Sequence, residues 1–547
     1  MTSIRFITIL MVLALIQSVQ MSAQSKYSKE DSIRGSINEY RAYDVRYYNL
    51  DLKINPETKS IAGSVIINLD ATIDQSKVQV DLFENLKVLA ISLNEKSVKY
   101  EHNKNAIFID CKLKKGEQYK LRISYEGKPI IADRAPWDGG FVWKNDIEGN
   151  PWIGVACEGI GASLWWPNKD HLSDEPDSME MHFTVPKPLK VISNGNLISE
   201  KSIGSKLTTF SWKVQYPINN YNVSFYIGNY EHIHDTYQAS DSSILDLDYY
   251  VLPNHKTIAE SHFKQSHKVL RAFEFYFGKY PFWKDGFALV EAPYLGMEHQ
   301  SAIAYGNEFK QGYLGTMVPK EFDIDYIILH ETAHEYFGNS VSCTDLGDMW
   351  IHESFATYME ALYIEFYYGK EASQRYLNSQ LGFIKNIEPI FGPYGVNYEA
   401  KTSDQYYKGS WMLHSLRNTI ENDTVWFTIL REFYNKFKIS HANRDDFIDI
   451  VNEYTKSDYT AFIHQYLRWE VPPEMEYKSE FKDNATFLSF RWNCYERAFS
   501  MPIEFSLDGK KVKMQSNTEW KTVQFPKKYK EIKPIVENRY FTVKKNN

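Results

Sequence analysis

His330-Glu331-Thr332-Ala333-His334 follows the apolar run Tyr326-Ile327-Ile328-Leu329 and reads HExxH. Four residues turn a helix by about 400°, so both imidazoles leave one face and can share a zinc ion at about 2.0–2.1 Å. Glu331 sits one residue along from His330, where it flanks the metal without binding it and can accept a proton from water the metal has acidified. A bare HExxH also occurs on solvated helix faces that hold no metal. Two features argue for ligands here: the residues around the motif are apolar, and Glu353 stands 18 residues beyond His334 in Trp350-Ile351-His352-Glu353-Ser354-Phe355-Ala356. Two histidines and one carboxylate leave a coordination position open, the pattern of a catalytic rather than a structural zinc, one ion per chain. Glu360, seven residues after Glu353, shares nearly the same helical face. It is either a support for the site or, as such residues more often are, a solvated helix charge.

Three further segments accompany this constellation. Leu295-Gly296-Met297-Glu298-His299 lies upstream, Tyr406-Tyr407-Lys408-Gly409 downstream, and Ala156-Cys157-Glu158 earlier still, nine residues before Pro167. Together with HETAHEYFGN from His330 to Asn339, their order and spacing resemble the aminopeptidase N family of gluzincin zinc metallopeptidases. In that resemblance the first segment matches GxMEN in part, the second matches YxKG, and the third supplies a second substrate-facing Gln or Glu. It implies an amino-terminal β domain, a thermolysin-like, mainly helical catalytic domain and a small carboxy-terminal β-sandwich domain, in a short form lacking the carboxy-terminal helical domain that covers the site in longer members.

The resemblance also implies roles. His330, His334 and Glu353 hold the metal, Glu331 is the base, Tyr406 stabilises the tetrahedral intermediate, and Gly296, Met297, Glu298 and Glu158 meet the substrate. The substrates implied are peptides with free amino termini, whose ammonium Glu298 and Glu158 would pair. Tyr407 competes with Tyr406, because the choice rests on register in a chain with 39 tyrosines. Leu295 and His299 replace the glycine and asparagine of GxMEN, and His352 and Ser354 replace the asparagine and glycine around Glu353. A residue adjacent to Glu353 on a helix points about 100° away, so His352 reads as a packing or hydrogen-bonding neighbour rather than a fourth ligand. An epoxide hydrolase or an endopeptidase on the same zinc site, and a catalytically silent zinc-containing binding protein, are the alternatives. The epoxide-hydrolase branch resembles a Gln at the Glu158 position, and a silent relative commonly loses ligands, whereas His330, Glu331, His334 and Glu353 are all present.

The elements that must position these residues are legible in part. Tyr48, Leu50, Leu52 and Ile54 alternate with polar residues, as do Val78, Val80 and Leu82, and Met179, Met181, Phe183 and Val185, so residues 25–232 read as a multi-strand β domain. From 233 to 471 the apolar spacing becomes helical, as at Phe447, Ile450, Val451 and Tyr454 behind an N-cap at Asn443. After Pro472-Pro473 the period returns to two at Leu488, Phe490 and Trp492, and at Ile503, Phe505 and Leu507 before the turn Asp508-Gly509, giving a third domain over 472–547. The whole is a multidomain α+β chain.

Composition bounds the rest. The 547 residues are 43% hydrophobic and 24% charged, enough for several packed cores and far from a disordered or collagen-like chain. Acidic residues outnumber Lys and Arg 70 to 62, and no basic block offers a nucleic-acid footprint. Arg5, the apolar run Phe6–Ile16 and the stretch ending Ser22-Ala23-Gln24 read as a signal peptide over 1–23, which predicts a periplasmic or extracellular protein. No later run is long enough to span a membrane. Cys111, Cys157, Cys343 and Cys494 form no CxxC pair, so a thiolate metal site is not expected.

Overall fold

The computed structural model describes residues 28–398 and 400–546, apart from the side chains of residues 29 and 30; the expected signal peptide lies outside the described residues. The first third is β-rich. Its main sheet has eight strands, centred on Tyr43–Asn55, which pairs in parallel with Ser178–Pro186 and antiparallel with Ser60–Ala71. The alternating Tyr48, Leu50, Leu52 and Ile54 are all buried, as half-buried strands require. A four-stranded sheet that includes Pro151–Ala156 and Phe225–Gly228 stands nearer the catalytic half.

The middle region opens with a sheet, not with helices. Glu231–Gln238, which straddles the expected boundary at 232/233, begins a five-stranded sheet with Ile244–Val251, Phe287–Glu291, Ile303–Tyr305 and Gly296–Met297. Successive side chains of a strand point to opposite faces. Phe287 and Leu289 therefore join the helical core while Ala288 and Val290 join the β-domain core, so one short strand ties the two cores together. The ten α-helices among the described residues are α1 (Lys29–Gly35), α2 (Lys256–His262), α3 (Gln265–Phe277), α4 (Tyr326–Tyr336), α5 (Trp350–Tyr368), α6 (Lys370–Gln380), α7 (Asp404–Ile420), α8 (Asp423–Phe437), α9 (Arg444–Thr455) and α10 (Thr460–Leu467). Asn443 caps α9 in a reciprocal capping box with Asp446.

Sheets of four and three strands close the chain as a sandwich, with Asp508-Gly509 turning Ser500–Leu507 into Lys510–Asn517. Their inward residues Leu488, Phe490, Trp492, Ile503, Phe505 and Leu507 belong to the same core as the catalytic helices. Phe462 of α10 stacks on Phe499 at 5.6 Å between ring centroids. Among the described residues no helix is long and apolar enough to cross a membrane, and all four cysteines are free thiols.

Candidate active site

Helix α4 starts where Asp325 accepts hydrogen bonds from the amides of Ile327 and Ile328, at 2.9 and 3.3 Å. That cap is itself held by Tyr305 Oη at 2.8 Å and His262 Nε2 at 2.7 Å. Every residue of the helix is buried, so its apolar run anchors it while His330 and His334 share the remaining face. Their Nε2 atoms lie 3.1 Å apart. Glu353, from the first turn of α5, brings Oε2 to 3.4 Å from His334 Nε2 and 3.8 Å from His330 Nε2.

This donor set fits one zinc ion. The carbonyl of Phe337 has no proton to give, so His334 Nδ1, 3.1 Å away, must donate to it and leave Nε2 as a lone pair aimed at His330. Glu353 Oε2 is buried and has no hydrogen-bond partner. Lone pairs and a carboxylate oxygen without a protein partner converging among buried side chains are costly unless a cation sits among them. No second cluster of this kind occurs among the described residues.

Glu360 corrects the reading of it as a solvated charge. It is fully buried, and its Oε1 lies 2.6 Å from His330 Nδ1 while Oε2 accepts from Tyr376 Oη at 2.6 Å and Gln380 Nε2 at 3.1 Å. A carboxylate at Nδ1 fixes the ligand's tautomer and raises its basicity. The sequence left the two readings of Glu360 open because the covering side chains come from α6, sixteen and twenty residues further on.

The strand Gly296–Met297 runs along the edge of this site. A Cβ at residue 296 would fall 2.8 Å from Glu331 Oε1 and 2.9 Å from Ile327, so glycine permits the strand to touch α4 beside Glu331. Glu298 follows directly and is buried; Tyr221 Oη donates to its Oε1 at 3.1 Å, and Asn339 Nδ2 donates to its main-chain oxygen at 2.7 Å. Glu158 approaches from the β domain on the loop after Pro151–Ala156, half-buried. Glu158, Gly296, Met297, Glu298, Glu331, His330, His334, Glu353 and Tyr406 all line one cavity of about 870 Å³. Burial first, and then Glu298, hold the Glu158 carboxyl well above its ordinary range. Burial pushes Glu331 up to about 7 against the opposing pull of His330, and a dication in the cage would draw it down again.

The YxKG residues divide their labour. Ser354 Oγ donates to the carbonyl of Gln405 at 2.6 Å, and a Cβ at residue 409 would fall 1.8 Å from that same hydroxyl oxygen. Gly409 therefore lets α7 press against α5 and brings Tyr406 beside His330, ring centroids 6.1 Å apart, where its phenol feels the Glu353 charge. Lys408 is buried, donating to the carbonyls of Trp469 and Glu470 at 2.8 and 2.7 Å. Tyr407 lines the same cavity and packs on Phe383 with ring centroids 5.1 Å apart, whereas it is Tyr406 whose ring stacks beside His330. Burial, followed by Glu353, keeps the Tyr406 phenol protonated far above its ordinary pKa. His352 is no fourth ligand, since its Nε2 accepts from the amide of Cys343 at 2.9 Å. His299 is buried and meets Tyr226 Oη through Nδ1 at 2.6 Å.

With that geometry in place, two family models match in order: the Peptidase M1 N-terminal domain over residues 45–221 and the Peptidase family M1 domain over 262–466. The chain belongs to the M1 peptidase family. This is the aminopeptidase N family of gluzincins that the motifs resemble. Among M1 relatives, Probable aminopeptidase 1 of Sulfurisphaera tokodaii is 24% identical over 484 residues, 84% of this chain and 58% of that protein. Leucyl aminopeptidase of Saccharolobus solfataricus is 21% identical over 91% of this chain and 63% of its own length. The chain thus spans about three fifths of the curated relatives it matches. A solved M1 zinc metallopeptidase from Deinococcus radiodurans superposes with a TM-score of 0.67 at 22% identity, over 80% of this chain and 96% of that one, which is a likeness of fold. Tyr221 and Asn339 are the polar residues of this M1 site whose placement the sequence did not reveal.

Proposed function

We propose that the protein is a zinc-dependent aminopeptidase that releases amino-terminal residues from peptides and acts after export to a periplasmic or extracellular space. One observation carries the reading. Two carboxylates, Glu298 and Glu158, face the same cavity as the His330, His334 and Glu353 cluster, and among the described residues no Lys, Arg or His forms an ion pair with either. Burial, and after it the charge of Glu298, hold the Glu158 carboxyl above its ordinary range, and an ammonium seated between the two would favour its charged form.

Zinc bound to His330, His334 and Glu353 would supply Lewis acidity toward a scissile carbonyl and a water molecule. The chain's own residues do the rest. Glu298 and Glu158 hold the substrate's ammonium and so set which amide bond reaches the cluster. Glu331 takes a proton from the attacking water and returns it to the departing amine, so the C–N bond breaks as a C–O bond forms and no proton is lost. Tyr406 donates its phenolic proton in a hydrogen bond to the oxyanion that develops on the carbonyl, an interaction strongest in the transition state. Glu360 holds the His330 ring through Nδ1. The substrates are peptides; the acidic balance of the chain offers nucleic acid no footing.

The test compares one aminoacyl substrate with its amino-acetylated form. The free amine should be cleaved and the acetylated form should lose roughly 100-fold or more, because acetylation leaves both carboxylates desolvated and unpaired. Glu298→Ala should erase most of that discrimination with zinc content intact, and Glu158→Ala a smaller part. Equal rates on both substrates in the wild type would defeat the reading.

A further inference from the structure

The amine-binding carboxylate needs a fixed direction as well as a place, and a buried chain of hydrogen bonds supplies one. The amide of Cys343 donates to His352 Nε2 at 2.9 Å. A backbone N–H can only donate, so Nε2 is the acceptor nitrogen of a neutral ring and the proton sits on Nδ1. Nδ1 lies 3.4 Å from Tyr221 Oη, and the two rings are nearly parallel, 25° apart. With Nδ1–H donating to its oxygen, Tyr221 must turn its own proton elsewhere. The acceptor in reach is Glu298 Oε1, at 3.1 Å.

We propose that His352 is a positioning residue for Glu298: it orients the Tyr221 hydroxyl as a donor, which holds the carboxylate toward the substrate's ammonium. The inference rests on the reading of Glu298 as an ammonium partner. Two features of the structure make the relay more than packing. His352 and Tyr221 come from different parts of the chain, α5 and the β domain, so the relay also crosses the seam along which Glu298 sits. The main chain of Glu298 is held separately, by Asn339 at 2.7 Å, leaving the relay to fix the side chain alone. Asn339 is in turn bonded by Asn222 Nδ2 at 2.7 Å, the residue after Tyr221, so both supports come off one short segment. A residue without a donor at Nδ1 and an acceptor at Nε2 would free the Tyr221 proton to rotate and Glu298 to turn.

The experiment is a cycle of variants on the zinc-loaded protein. Tyr221→Phe and His352→Phe should each retain full zinc and raise KM for a free-amine aminoacyl substrate by roughly 10-fold, the loss of one hydrogen bond to a charged group, with a smaller change in kcat. His352→Gln, which keeps an acceptor and a donor on one side chain, should recover part of the loss. In the Glu298→Ala background the Tyr221 and His352 substitutions should add almost nothing, because the group they orient is gone. Since His352→Phe places an apolar ring against a buried amide and can fail to fold, Tyr221→Phe, which removes one oxygen only, decides the outcome. An unchanged KM in Tyr221→Phe, or the same loss in the Glu298→Ala background as in the wild type, would overturn the relay. Should Glu298→Ala itself leave free-amine cleavage unchanged, the reading of Glu298 has failed and the relay fails with it, whereas a silent Tyr221→Phe beside a damaging Glu298→Ala condemns the relay alone.

Discussion

Two sides of the cavity are held by different means. On the helical side, His330, His334 and Glu353 stand on α4, buried throughout, and on the buried stretch of α5 from Trp350 to Ile364, and helix spacing presents the side chains before any loop is placed. On the other side, Glu158 rides a loop, and the loop is clamped from outside. Arg34 of α1 donates to the carbonyl of Ile160 and pairs with Asp170 at 3.8 Å, while Asp170 accepts from the amides of Ala162 and Ser163. The same short helix accepts from the amide of Asn397 at 2.9 Å on the segment leading into α7, through the carbonyl of Asp31. Helices preset a ligand cage by periodicity, whereas a loop wall needs ionic and backbone clamps brought from far away in the chain. Damage to the first side should therefore show as lost metal, and damage to the second as lost recognition of the amine.

The largest effect is expected from the cage. His334→Ala removes a ligand and should take bound zinc, measured by elemental analysis, well below one ion per chain, and activity with it. Stoichiometric zinc with activity in that variant would break the comparison at its root. Glu331→Gln stands on the same helix but should keep its zinc, while turnover falls by on the order of 10² or more because the amide cannot accept a proton. Normal turnover there would remove Glu331 as the base.

Smaller effects sharpen the contrast. Glu360→Gln should weaken zinc affinity by roughly 10- to 100-fold in a chelator competition, the usual cost of losing a carboxylate behind a histidine ligand. Tyr406→Phe should lower kcat more than it changes KM, and Tyr407→Phe should do neither; the reverse pattern would shift the register by one residue. The smallest change should come from the loop clamp. Arg34→Gln leaves the carbonyl of Ile160 and the Asp170 carboxylate short of a partner, a stability cost of about 1–3 kcal/mol, readable as a lower denaturation midpoint. Zinc content should stay at the wild-type level and KM for free-amine substrates should rise modestly. A loss of zinc in this variant would show that the two sides are not separable.

The M1 cage was legible because its determinants are local. A four-residue step on a helix, an apolar run ahead of it and a carboxylate 18 residues on are all properties of neighbouring positions. The alternations that place Tyr48, Leu50, Leu52 and Ile54 in a buried strand, and the cap at Asn443, are local in the same way. What the sequence could not reveal is what packs over each face. Glu360 reads as a surface charge until Tyr376 and Gln380 cover it, and Tyr221 is one tyrosine among 39 until the β domain lays it against Glu298. Within the five-stranded sheet, Phe287–Glu291 and Ile303–Tyr305 escaped the helical reading of the middle region because they are buried throughout and lack a polar alternation, whereas Ile244–Val251 does alternate. Residue spacing along the chain determined which atoms can share a metal; burial, tautomers and the partners of each carboxylate were decided by tertiary contacts between distant segments, 131 residues apart for Tyr221 and His352, which no periodicity encodes.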